Sequence, residues 1–122
     1  MYIDFKVYES SKVEQTSENV DILQGENNIT SLRFALPETI RGYKIANYTQ
    51  EIKFESERGD VLRFYMDGGS FALTNKITAF KSVWVQLVLT NSKDEAEPIV
   101  WRSKPFKIEF VKSINAIYPI GV

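Results

Sequence analysis

The side chains in this chain that could do chemistry are 16 carboxylates and a set of aromatic rings. Two carboxylates facing each other across a cleft can cleave a glycosidic bond. No spacing here singles out such a pair. The chain has no histidine and no cysteine. The first absence removes the usual general base and the commonest zinc ligand. The second removes thiolate nucleophiles, zinc–thiolate sites and disulfides. Asp94, Glu95 and Glu97 lack the ordered spacing and the glycine of a calcium loop, and read as a solvated loop. The expectation is a protein that is not an enzyme, with no catalytic residues, no cofactor and no metal.

Three short motifs have ordinary explanations. Arg58-Gly59-Asp60 is the tripeptide that integrin-binding proteins display, but glycine and aspartate also suit a hairpin tip. Asn28-Ile29-Thr30 and Asn47-Tyr48-Thr49 match the glycosylation acceptor pattern, which matters only on a secreted route. The rings carry more weight. Trp84 and Trp101 could stack on sugars, or they could fill a core, where aromatic side chains dominate the energetics.

The elements that would position these residues are strands. Val83, Val85, Leu87 and Leu89 alternate without a break and share one face of an extended segment. The opposite face carries Trp84, Gln86, Val88 and Thr90 and is half apolar, so this strand reads as central, with a second layer over at least part of its other face. Ile3, Phe5 and Val7 alternate in the same way near the start. The 9–19 stretch has one apolar residue, Val13, and reads as a mobile loop. Val20 to Leu23 reads as a short strand, and Leu32, Phe34 and Leu36 mark another that Pro37 ends. Pro37 to Gly42 could make one helical turn. Gln50–Glu55 and Val61–Tyr65 form a hairpin around Glu57–Asp60. Phe71–Thr74, Ile99–Trp101 and Phe106–Phe110 complete the set. Pro105 must lie at an edge, a bulge or a corner.

This pattern predicts an all-β fold of about eight or nine short strands, a two-sheet antiparallel β-sandwich of immunoglobulin-like architecture. With 122 residues, residues 1–122 read as a single domain. The formal charge of −1 gives no electrostatic case for nucleic acid, which usually needs a basic face. No apolar run approaches the roughly 18 residues of a membrane span. Met1 to Lys6 has no signal-peptide pattern, so synthesis in the cytoplasm is expected.

Several segments together resemble small virion proteins of tailed phages and prophages of Gram-positive bacteria. They are Leu36-Pro37-Glu38 with Gly42-Tyr43-Lys44, then Ile52-Lys53-Phe54-Glu55 and Gln86-Leu87-Val88-Leu89. Val100-Trp101-Arg102-Ser103-Lys104-Pro105-Phe106 and Ser113-Ile114-Asn115-Ala116 follow. The likeness is to the N-terminal domain of upper baseplate or tail-fibre-attachment proteins, and spans most of residues 29–116. It implies a β-sandwich that builds part of a baseplate or tail tip as symmetric copies, located in the virion and made in the host bacterium. The implied partners are itself, as a homo-oligomer, and other virion proteins. The alternative is a carbohydrate-binding module or adhesin-type domain that recognises a cell-surface glycan.

Candidate interface residues follow from apolar groups in need of cover. Trp84 and Val88 lie on the second face of the central strand. Trp101 precedes a polar run. Residues 113–122 carry no charged side chain, and read as an apolar tail whose Ile117, Tyr118, Ile120 and Val122 should lie against something apolar. That surface is either the domain's own open end or a groove on a neighbouring subunit.

Overall fold

The structure, a computed structural model, describes residues 1–92 and 97–114. Its strands are β1 (Tyr2–Val7), β2 (Val13–Gln15), β3 (Ser31–Ala35), β4 (Thr39–Ile40), β5 (Tyr43–Lys44), β6 (Thr49–Ser56), β7 (Val61–Met66), β8 (Ser70–Ala72), β9 (Ser82–Asn91), β10 (Ile99–Arg102) and β11 (Phe106–Glu109). One α-helical turn, α1 (Asn75–Thr78), leads into β9. The fold is all-β, as the alternation predicts.

One sheet has the order β2-β1-β3-β8. The other runs β10-β9-β6-β7, with β11 pairing the same edge of β9 beyond β10. Rings from the two sheets meet across the interior. Phe5 of β1 lies 4.9 Å from Phe106 of β11, and Phe71 of β8 lies 5.5 Å from Phe54 of β6. At such separations ring pairs add to the stabilisation from buried area. Around them the alternating residues Ile3, Phe5, Val7, Leu32, Phe34, Ile52, Val83, Val85, Leu87 and Leu89 are buried as one cluster. Pairing of β9 with β6 runs in register from Thr49 opposite Thr90 to Ser56 opposite Val83.

Four local expectations need correction. The 9–19 stretch contains β2, paired antiparallel with β1. An edge strand needs only one ladder, and a single half-buried apolar residue, Val13, suffices to hold it. Val20 to Leu23 is not a strand; its one ladder contact is the bridge from Leu23 to Val111. Pro37 to Gly42 is not helical. β4 and β5 make a minimal hairpin through Arg41 and Gly42, whose φ values of 54° and 80° are both left-handed. Two left-handed central residues match the twist of a two-residue hairpin. Finally, β1 and β3 pair in parallel, where an antiparallel sandwich was expected. The long connection between them makes that possible, since parallel neighbours require a crossover.

Two substitutions test this packing. Leu87 is fully buried, so Leu87→Ala should cost about 2–5 kcal/mol in urea unfolding. Gly68 and Gly69 both have left-handed φ, but only at Gly69 would an added Cβ meet the Phe34 carbonyl oxygen. Gly68→Ala should therefore cost about 1–2 kcal/mol from backbone strain alone. Gly69→Ala should cost about 1–3 kcal/mol more, the usual penalty of overpacking. Equal losses would remove the close approach from the account.

Candidate functional site

Because strands alternate, the inward row of β9 leaves Trp84, Gln86, Val88 and Thr90 on the open face of its sheet. The neighbouring strands set what surrounds them. In register, Trp84 lies between Glu55 of β6 and Lys107 of β11, and Glu55 lies next to Val61 of β7. Trp84 is 48% exposed, and Val61 is also exposed. Pro105, where the chain breaks between β10 and β11, comes up beside them. Trp84, Val61 and Pro105, with Lys53, Glu55 and Gln86, line a shallow pocket of about 360 Å³.

The remainder of this face is charged. Glu51 accepts from Arg63 Nε at 3.1 Å and lies 3.9 Å from Lys53 Nζ. Lys107 Nζ and Glu109 are 3.7 Å apart. Exposed pairs of this kind contribute little stability, but they surround the apolar pocket with charge of both signs. Val88, opposite Glu51 and Arg102 in register, is only 6% exposed. The aliphatic stems of long charged side chains cover an apolar neighbour in this way.

Trp101 faces inward. It is 8% exposed, and its indole Nε1–H donates to the Glu9 carbonyl at 3.0 Å. Of the described interface candidates, Trp84 therefore keeps substantial free surface, while Val88 and Trp101 keep little. Ile117, Tyr118, Ile120 and Val122 lie outside the described residues. Sequence reasoning missed Val61 and Pro105. The hairpin register could have placed Val61 opposite Glu55, but nothing local brings Pro105 to Trp84.

The other motifs resolve into structure. In Arg58-Gly59-Asp60 the aspartate N–H donates to Ser56 Oγ, and Ser56 N–H donates to the Asp60 carbonyl. The Arg58 guanidinium sits 5.8 Å from the Phe80 ring centre. These contacts close the β6–β7 turn. On the outer face of the first sheet, Arg33 makes a two-bond pair with Asp4 and stacks on Tyr2. The hydrogen bond from Arg33 holds the Asp4 carboxyl below its ordinary value. Among the described residues no group of three or more acidic side chains could hold a metal ion. No helix among them is long and apolar enough to cross a membrane.

Comparison with known proteins gives one kind of likeness. No protein-family model matches the chain, and no curated protein matches it. Among solved structures, the chain is similar to the N-terminal domain of ORF48 of phage TP901-1. That similarity has a TM-score of 0.51 at 9% identity, covering 93% of this chain and 97% of the other. At so low an identity the shared property is the fold, a β architecture matched over almost the full length of both chains.

The different settings of the two tryptophans can be read by fluorescence. In the variant Trp101→Phe the remaining Trp84 emission should be quenched strongly by acrylamide. In Trp84→Phe the remaining Trp101 should be nearly protected. Similar quenching in both variants would contradict the placement of Trp84.

Proposed function

We propose that this domain is a non-enzymatic building block of a phage particle, positioned in the baseplate or tail tip and acting through protein–protein contacts. Two independent lines support this reading. The segments between Leu36 and Ala116 resemble upper baseplate domains, and the fold is similar to that of a phage protein's N-terminal domain. The observation that carries it at residue level is Trp84. A half-exposed indole beside Val61 and Pro105, ringed by charged side chains, has the anatomy of an interface centre: an aromatic anchor with a polar rim. Most of the pocket's exposed lining is apolar, contributed by Trp84, Val61 and Pro105, which suits an apolar side chain of a protein partner.

The reading also assigns the domain to the virion, with synthesis in the host bacterium, and has it work as one of several identical copies beside other virion proteins. No step in it needs a catalytic group.

Trp84→Asp tests the proposal. The side chain sits on an open sheet face, so the melting temperature should fall by only a few degrees. Removing an interface anchor should weaken docking by about 2 kcal/mol or more, a factor of about 30 in Kd. Particles produced with the variant should lack the protein, as read by mass spectrometry of purified virions. Normal incorporation would overturn the assignment of this face. Binding of the wild-type domain to a bacterial cell-wall glycan, lost in Trp84→Asp, would transfer the site to the carbohydrate reading.

A further inference from the structure

Strand edges carry unpaired backbone N–H and C=O groups that invite another strand, and folded proteins shorten, charge or cover them. Most edges here are treated in that way. In the first sheet β2 and β8 have three residues each. In the second, β10 is met by Ser11, whose carbonyl accepts from Lys104 N–H and whose hydroxyl donates to the Arg102 carbonyl. The chain just past β11 is bridged through Val111 to Leu23. β7 has none of these protections. It ends the order β10-β9-β6-β7. It runs six residues, Val61–Met66, with no proline, no glycine and a single charge at Arg63. No strand among the described residues pairs its outer side.

The hairpin fixes which groups that outer side presents. Ser56 N–H donates to the Asp60 carbonyl, and hydrogen-bonded pairs recur at every second residue of an antiparallel ladder. In the β6–β7 register Leu62, Phe64 and Met66 therefore turn their backbone groups toward β6. Val61, Arg63 and Tyr65 turn theirs outward. The side chains of these three stand on the open face, and Tyr65 is 78% exposed. On the inner face Leu62 and Phe64 are only partly buried, as is Phe71 of β8, whose ring lies 5.1 Å from that of Phe64. This flank of the sandwich is an open ladder with an apolar rim behind it.

We propose that the outer side of β7 pairs with β7 of a second copy of the chain, antiparallel across a two-fold axis at Phe64, so that one sheet of each copy joins into a continuous sheet. The axis sets Arg63 opposite the second copy's Tyr65, and Tyr65 opposite its Arg63, through the outward backbone groups. Across the joined sheet the open-face row then reads Lys53, Arg63, Tyr65, Glu51, the last two from the second copy. The basic pair of each copy meets the acidic end of the other. The Arg63 guanidinium can keep its bond to its own Glu51 while covering a ring, as Arg33 in the first sheet pairs with Asp4 and stacks on Tyr2 at 3.9 Å. On the inner side Phe64 meets its own copy in a non-hydrogen-bonded pair, where side chains approach most closely. An axis at Arg63 would instead line up Lys53 and Arg63 of both copies in one row of like charge. An axis at Leu62 would set Tyr65 against the Glu57–Asp60 turn.

A second copy, rather than an unrelated partner, is the occupant because the complementarity lies within β6 and β7 themselves. A two-fold contact uses the same patch on both copies, and it closes. Trp84 lies on β9, two strands in from this edge, and stays free. The contact therefore does not rest on the virion reading.

Sedimentation velocity of the full chain over a concentration series tests the proposal with two charge variants. The wild type should dimerise. Arg63→Glu and Tyr65→Lys should each weaken the dimer by about tenfold or more, because the altered contact occurs twice. In an equimolar mixture the new carboxylate faces the new ammonium across one contact and Tyr65 faces Arg63 across the other, so dimers should return. A monomeric wild type would overturn the proposal and leave the edge to a different protein. A variant that dimerises like the wild type, or a mixture that stays monomeric, would overturn it too. Trp84→Asp should dimerise normally; its loss of dimers would move the self-contact to the Trp84 face and overturn the pairing. Should either charge variant fail to fold, amide hydrogen exchange of the wild type decides. Val61, Arg63 and Tyr65 should gain protection as concentration rises. Equal protection in the dilute monomer would overturn the proposal and give the edge to a segment of the chain's own.

Discussion

The domain depends on how β9 satisfies its backbone once Val83, Val85, Leu87 and Leu89 are buried. Buried N–H and C=O groups must be paired, and β6 supplies one side without interruption. The other side is shared by β10 and β11, with a break at Ser103–Pro105 that would leave Leu87 without a partner. Ser103 closes that gap. Its hydroxyl accepts from Leu87 N–H at 2.9 Å, its own N–H donates to the Leu87 carbonyl, and its carbonyl accepts from Gln86 Nε2. One buried serine thus lets the chain change direction at Pro105 without losing the central ladder. The same break brings Pro105 to the face that carries Trp84.

What the sequence makes legible is the part governed by period. The unbroken alternation of β9, and of β1, β3 and β6, marks extended strands with at least one buried face, and the glycine-bearing turn between β6 and β7 marks their hairpin. What it hides depends on distant partners or on single backbone angles. Val13–Gln15 has almost no apolar signal because an edge strand needs little. Arg41 lies in the left-handed region, which no composition rule assigns to arginine, and so the β4–β5 hairpin reads as a helical turn. The parallel pairing of β1 with β3 is a property of the path between them, not of either strand.

The candidate site follows the same division. Trp84 and Val88 have identical phase along β9, and the sequence treats them alike. Only the cross-strand neighbours separate them: Glu51 and Arg102 flank and shelter Val88, while Glu55 and Lys107 leave the larger indole standing. Trp101 lies opposite the buried Leu89, and its indole also donates to a loop carbonyl about ninety residues earlier, which no local pattern encodes.

That hydrogen bond belongs to a latch with a consequence for the order of assembly. Glu9 receives the Trp101 indole, Ser11 Oγ donates to the Arg102 carbonyl, and the Ser11 carbonyl accepts from Lys104 N–H. The chain's early bend is therefore fastened in part by residues made near the end of the described chain. Until β10 emerges from the ribosome, β1 can find β3 but not its lock, and its apolar row stays open to solvent. Loops of such length make closure of the sandwich the slow, late event of folding.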